Sequence, residues 1–287
     1  MPPLFKLEAP DDLHEPSLLV ALDGWVDAGS AATSAAARVR DGGTVLAEFD
    51  ADVLFDYRAR RPALEIRDGR PRTLTWSELT LTRSRFGARD ILVLSGAEPD
   101  FRWRQLSAEL VAMAQRLGVV QWISLGAIPA AVPHTRPVPI LGTSSKPGLL
   151  KGGVQPGPTG TLRVPAACIS VLDVAVSKAG IPSVGYFAQI PHYVNGPYAT
   201  AALALLEAVN RHLEIEVPPG PLANEAMLLR QRLDTAAASD EGTRQYVERL
   251  ESMTDEARLP EGDDLIADIE RFLRERGGDL GGGGRPN

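Results

Sequence analysis

Disulfide bonding within the chain is excluded at the outset, because 287 residues hold one cysteine, Cys168. It sits in "VPAACISVLDVAVSKAG", which reads as a buried helix, so a core thiol is expected there and not a nucleophile. Lysine is nearly absent: Lys6, Lys146, Lys151 and Lys178 are the only four, and the formal net charge is −7. No basic stripe occurs. A phosphate-backbone binder needs clustered Lys and Arg, so nucleic acid is not an expected partner. No apolar run approaches the ~20 residues that span a bilayer. The opening "MPPLFKLEAPDD" has no charged-then-apolar signal pattern. A cytoplasmic protein without a membrane partner is expected. Histidine is also scarce, with four residues (14, 134, 192 and 212) and no H-x-x-x-H spacing, so neither a metal site nor a cofactor is expected.

Catalytic signatures are missing too. There is no G-x-x-x-x-G-K-[ST] phosphate loop, and "GGVQPGPTG" lacks the lysine. No G-x-G-x-x-G follows the first strand, and no G-x-S-x-G elbow occurs. An Asp–His pair could do acid–base work, but no nucleophile is placed beside it.

What the sequence does hold is a series of short, nearly continuous apolar runs: "SLLVAL" (17–22), "TVLAEF" (44–49), "DILVLS" (90–95), "VQWISL" (120–125) and "SVGYFAQI" (183–190). Such runs suit parallel strands covered on both faces. Helical patterns alternate with some of them, ending in Gly118 and Gly180 as C-caps. The expected fold is a three-layer α/β/α sandwich with a mixed, mostly parallel sheet. Residues 63–86, with an Asp-Gly turn, read as an antiparallel extension of that sheet. Residues 129–165 carry eight prolines and six glycines and read as a long irregular loop. The core domain is set at 1–216. An acidic helical extension follows at 217–276, with Leu222, Ala226, Leu229 and Leu233 as a helical seam, Tyr246, Leu250 and Met253 on a second helix, and Leu265, Ile269 and Phe272 on a third. Its acidity reads as a solvated face or a surface for a basic partner. Residues 277–287 read as a disordered tail.

In open parallel sheets, ligands sit beyond the carboxyl ends of the strands. Those ends are decorated here. The first gives Asp27 and Gly29, the third Glu98, Asp100, Arg102 and Trp103, the fourth His134 and Arg136, and the fifth His192, Tyr193 and Asn195. Each has a structural explanation as well: a helix cap for Asp27, an Arg–carboxylate clamp in "EPDFRWR", an interface role for His134 and Arg136, and a satisfied loop histidine in His192. Their common rim points to one pocket or interface.

"GWVDAGSAA", "FDYRARRP", "GAEPDFRWR", "LGAIPAAVPHTRPVP", "GPTG" and "IPHYVNGPYATAALALLEAV" occur in this order. Together they resemble the bacterial branch of the proteasome assembly chaperone family, across residues 15–275. The resemblance implies a phosphorylase/hydrolase-like α/β/α fold and a non-catalytic role. It implies self-association, taken as a homotrimer by analogy with phosphorylase-like folds, and binding to proteasome α-subunits. One departure stands out: family chaperones that dock on the proteasome often end in a hydrophobic residue, tyrosine, then any residue, whereas this chain ends Arg285-Pro286-Asn287. The other reading is a small-molecule-binding protein or enzyme using the rim, with Arg102, Arg136 and His192 on an anion and Asp27 or Glu98 as the acid–base group.

Overall fold

The computed structural model describes residues 2–158 and 160–256. The third helix expected beyond residue 260 and the tail at 277–287 lie outside the described residues. The chain runs β1 (Phe5–Leu7), β2 (Ser17–Asp23), α1 (Ala31–Arg40), β3 (Thr44–Phe49), α2 (Ala51–Leu54), β4 (Ala63–Arg67), β5 (Arg70–Thr75), β6 (Leu79–Phe86) and β7 (Arg89–Ala97). It continues through α3 (Trp103–Arg116), β8 (Gln121–Ala130), β9 (Ile140–Ser144), β10 (Gln155–Pro156), α4 (Cys168–Lys178), β11 (Ser183–Pro191), α5 (Ala199–Leu213), α6 (Leu222–Ser239) and α7 (Glu241–Glu256).

Among the described residues, nine strands form one mixed sheet in the order β1-β3-β6-β7-β2-β8-β11-β9-β10. Its centre, β7-β2-β8-β11, is parallel. The first six residues of β2, "SLLVAL", are all buried, because helices cover both faces of this central strand. On one side α1 and α5 pack with Leu19, Ala21, Ile123 and Tyr186; on the other, α3 and α4 pack with Leu18, Val20, Leu92 and Trp122. This is the expected α/β/α sandwich. The small residues Ala31, Ala32, Ala35 and Ala36 form the buried face of α1 and let α1 lie close against α5.

Three expectations need correction. The run 44–49 is not a parallel strand: β3 pairs antiparallel with both β1 and β6. Its apolar content suited either arrangement, since periodicity does not report strand direction. Of residues 63–86, only β6 extends the main sheet, antiparallel to β7. β4 and β5 instead pair with each other in a separate two-stranded sheet, with every residue exposed. Finally, residues 129–165 are not irregular throughout, because β9 pairs antiparallel with the edge of β11 and β10 joins β9.

The acidic helices continue the core. Leu222 and Ala226 of α6 are buried in the same cluster as Leu213 and Val217, and Leu229 and Leu233 pack against it. Cys168 is fully buried at the start of α4, and burial pushes its thiol up to about 12.

Two polar strings lie inside. The Tyr186 hydroxyl lies 2.7 Å from His212 Nδ1, His212 Nε2 lies 2.9 Å from Gln121 Oε1, and Gln121 donates to Ser17 at 2.9 Å. These partners fit a neutral imidazole that accepts from Tyr186 and donates to Gln121. Burial and nearby Lys151 lower His212 to about 4. On the opposite face, the Asp173 carboxylate accepts from Ser124 Oγ (2.5 Å) and Trp122 Nε1 (3.1 Å), while burial raises it to about 6.

A pH dependence follows for His212. The unfolded chain takes up a proton as pH falls below ~6.5, whereas the folded one resists until about 4, so stability is lost across that interval at up to ~1.4 kcal/mol per pH unit. Asp173 acts with the opposite sign up to about 6, so the diagnostic is a difference between two proteins. Between pH 7 and pH 5 the wild type is expected to lose roughly 2 kcal/mol relative to His212→Gln, measured by urea denaturation at each pH.

Candidate functional site at the carboxyl edge of the sheet

The parallel registers put the carboxyl ends of β7, β2, β8 and β11 side by side, in that order. The sequence-predicted residues therefore fall along one rim. It divides into two polar clusters with Asp27 between them.

The first cluster closes the ends of β2 and β7. Asp23 Oδ1 accepts from Arg60 Nη1 at 2.8 Å and from the Glu98 N–H at 3.1 Å. Arg60 Nε also lies 3.7 Å from Asp100 Oδ1. Asp100 accepts from the Asp56 N–H at 2.8 Å, and its own N–H donates to the Leu54 carbonyl at 2.9 Å. Glu98 accepts from two more backbone groups, Cys168 N–H at 2.6 Å and Trp25 N–H at 3.3 Å, tying the first turn of α4 to the turn after β2. The Trp103 indole donates to the Pro99 carbonyl at 2.5 Å. Arg102 occupies the left-handed region (φ 63°) as the residue before α3. The expected Arg–carboxylate clamp therefore exists, but its arginine is Arg60, which the sequence reading missed. "FDYRARRP" held the signal, a run of arginines after Asp56. Three arginines in four positions gave no means of choosing one.

Asp27 is buried. Its carboxylate accepts from the Ala32 N–H at 2.7 Å and from the Thr33 hydroxyl at 2.5 Å, so it holds the start of α1. Burial raises its carboxyl and these hydrogen bonds work against the rise. Gly29 is in the left-handed region (φ 62°), and its carbonyl accepts from the Tyr198 N–H at 2.8 Å. A side chain there would meet Tyr198, which is buried at the start of α5.

The second cluster fastens α6 and α7 onto the ends of β8 and β11. Tyr193 Oη receives the His134 N–H at 2.8 Å and lies 2.7 Å from His134 Nδ1. His134 Nε2 faces Asp234 of α6 at 3.2 Å. Arg230 of α6 grips Asp234 at 2.8 Å and donates to the His134 carbonyl at 3.0 Å. Burial lowers the pKa of His134, with Asp234 opposing that shift. Arg136 makes a two-bonded pair with Asp255 at 2.9 and 2.8 Å and reaches Glu251 at 3.1 Å, both on α7. The Thr135 hydroxyl also donates to Glu251. His192 Nδ1 lies 3.1 Å from the Ala130 carbonyl and Nε2 lies 3.1 Å from the Tyr246 hydroxyl. The ring is thus tied on both sides, to the β8 backbone and to α7. Asn195 is exposed in the turn that follows. Sequence reasoning found the strand-end half of this cluster. It missed Asp234, Glu251, Asp255 and Tyr246, because nothing in a helical periodicity says which strand end a helix will cover.

Chemically, the rim is a set of internal ties. Arg60 and Arg136 are both engaged by carboxylates. The groove of about 900 Å³ between Val138, Ile140, Leu203 and Met253 is lined by none of the predicted rim residues. Exposed on the same rim are large apolar side chains, Trp25 at 68% and Phe101 at 49%.

An α/β/α sandwich with its strand ends tied by salt bridges and its aromatics turned outward is the class of molecule described so far. The chain belongs to the PAC2 family, which it matches over residues 21–237. No curated protein matches it. Among solved structures it is similar to a protein of unknown function from Corynebacterium glutamicum, with 30% identity, TM-score 0.81, and coverage of 88% of this chain and 97% of that one. A proteasome-assembly chaperone homologue from Mycobacterium tuberculosis is 33% identical with TM-score 0.72, covering 80% and 99%. A PAC2 family protein from Streptomyces avermitilis is 34% identical with TM-score 0.69, covering 81% and 99%. An archaeal proteasome activator from Pyrococcus furiosus, 16% identical with TM-score 0.63 over 81% and 97%, shares the fold.

Two outcomes test the second cluster. Tyr193→Phe removes the oxygen that receives the His134 N–H, and leaving that buried donor unpaired is expected to cost ~1–3 kcal/mol by chemical denaturation. Arg136→Ala removes two of the ties to α7, those to Asp255 and Glu251, so amide exchange is expected to accelerate across 241–256 and to stay unchanged in β2.

Proposed function

We propose that the protein is a non-catalytic, proteasome-assembly-chaperone-like protein that self-associates and binds a protein partner such as proteasome α-subunits. Membership in the PAC2 family supports a chaperone-like role, as does similarity to a structure described as a proteasome-assembly chaperone homologue. The observation that carries the reading is the division of labour on the rim: charged groups are paired inward while Trp25 and Phe101 face outward. Exposed aromatics around a polar rim are the composition of a protein interface. A small-molecule reading of the same rim places Arg102, Arg136 and His192 on an anion, and of these Arg136 is already held by Glu251 and Asp255 and His192 by Ala130 and Tyr246. The partner surface presented is the carboxyl edge of the sheet together with the acidic helices.

The test is affinity capture of the tagged full chain from its native lysate, with purified proteasome α-subunit as a second bait. Retention of α-subunits by wild type, and loss of at least tenfold of the retained amount in Trp25→Ala/Phe101→Ala, is the expected result. No retention by wild type, with normal proteasome maturation in a deletion strain, would refute the assignment.

A further inference from the structure

A seam of hydroxyls lies beside α1, away from the rim. In β6, Thr80, Thr82 and Ser84 share one face by the two-residue strand repeat, and all three are buried. Leu79 and Leu81, on the other face, join the core on the α3–α4 side. A strand covered on both faces is expected to be apolar at all of these positions. The hydroxyl face borders an open cleft of about 550 Å³. Its walls include Ser34, Ala37 and Arg40 of α1, Val45 of β3, Thr82, and Leu222 at the start of α6. Val45, opposite Thr82 in the ladder, is 47% exposed, so no helix among the described residues roofs this corner of the sheet.

We infer that this cleft binds a small phosphate-type oxyanion, free or carried as the monoester of a small molecule, with Arg40 as its cation. The site is separate from the rim and does not depend on the proposed function.

Three observations carry it. First, Arg40 is a half-buried cation without a carboxylate. Its one side-chain hydrogen bond among the described residues runs from Nη1 to Ser95 Oγ at 3.4 Å, beyond the usual range for N–H···O. Taking a guanidinium partly out of water without a counter-charge is costly, and an anion removes that cost. Arg38 shows the contrast: it donates to Asp41 at 3.0 Å and to the Pro218 carbonyl at 3.4 Å. A cation for the carbonyl end of α1 is thus already supplied, and Arg40 turns instead over the sheet toward Ser95. Second, hydroxyls without partners lie close by. Ser84 Oγ is buried and makes no hydrogen bond, a rare condition in a folded protein. Thr82, in the cleft wall, has a hydroxyl that makes none among the described residues either. Third, Gly43 keeps the wall thin. A methyl group there would lie 2.7 Å from Ser84 Oγ and 2.7 Å from Thr82 Cγ2, so only glycine lets the chain after α1 settle onto these hydroxyls. Gly43 lines the cleft, and Ser84 stands directly behind it.

The donor set fits a tetrahedral anion. The guanidinium offers parallel N–H groups in one plane, and the hydroxyls of Thr82 and Ser95 approach from the sheet. A carboxylate spends both oxygens on the guanidinium, whereas a phosphate has further oxygens left for the hydroxyls. The cleft is also larger than the bare anion, which leaves room for a small organic group attached to it.

Calorimetric titration of the full chain with inorganic phosphate, at an ionic strength held constant with sodium chloride, tests this. Wild type is expected to bind saturably, and Arg40→Gln about tenfold or more weakly. Thr82→Val keeps the side chain's shape, is expected to weaken binding about threefold, and decides the matter should Arg40→Gln fail to fold. A parallel titration with glycerol 3-phosphate separates the two sources of the anion. Tighter binding than inorganic phosphate identifies the monoester, and equal or weaker binding identifies the free anion. Arg136→Ala, on the rim, is expected to bind phosphate as wild type does. Absence of saturable binding by wild type overturns the proposal. Wild-type affinity in folded Arg40→Gln, or in Thr82→Val where Arg40→Gln does not fold, overturns it as well. So does a loss confined to Arg136→Ala, which would put the anion on the rim.

Discussion

The parallel register of four neighbouring strands governs the molecule. Because β7, β2, β8 and β11 run in the same direction, segments as far apart in the chain as Asp23 and Pro191 end on one edge of the sheet. Strand ends bring backbone N–H and carbonyl groups that no longer have ladder partners, and these must be satisfied where the chain turns. The observed answer is a row of side chains that serve backbone groups. Glu98 takes the N–H of Cys168, Asp27 those at the start of α1, Asp100 that of Asp56, and Tyr193 that of His134. The rim's polarity is first of all the bookkeeping of the sheet's own ends.

That accounts for how the acid–base residue types of the rim are used. Asp27 and His134, the buried titratable groups among the predicted residues, face helix N–H groups in one case and Tyr193 and Asp234 in the other. The carboxylates and cations of the rim face one another, and the side chains left over for contact are Trp25, Phe101 and the hairpin leucines. That arrangement is what the proposed interaction role rests on, together with membership in the PAC2 family.

Much of this was legible in the residues. The fully buried run of β2 and the alanine face of α1 announced a covered sheet. Asp27, Glu98, Asp100, His134 and His192 were recognisable because turn positions after apolar runs seldom carry so many polar tips. Strand direction was not legible at β3, where the alternatives share one hydrophobic pattern. The fate of residues 63–75 was hidden for a related reason: a hairpin signal records local pairing and says nothing about what lies beside it. The helix partners of the rim were invisible because Asp234, Glu251 and Asp255 look like any solvated carboxylate until α6 and α7 are placed over His134 and Arg136.

The four tryptophans occupy four different environments. Trp122 is wholly enclosed beside Asp173, Trp103 is partly covered with its indole on Pro99, Trp76 stands over Tyr57, and Trp25 projects into water. The intrinsic fluorescence of the chain is therefore a composite of a blue, quencher-resistant component and a red, quencher-accessible one. The red component comes from Trp25 on the rim and from Trp76 beside Tyr57, so emission colour reads out any cover laid over either ring without a label.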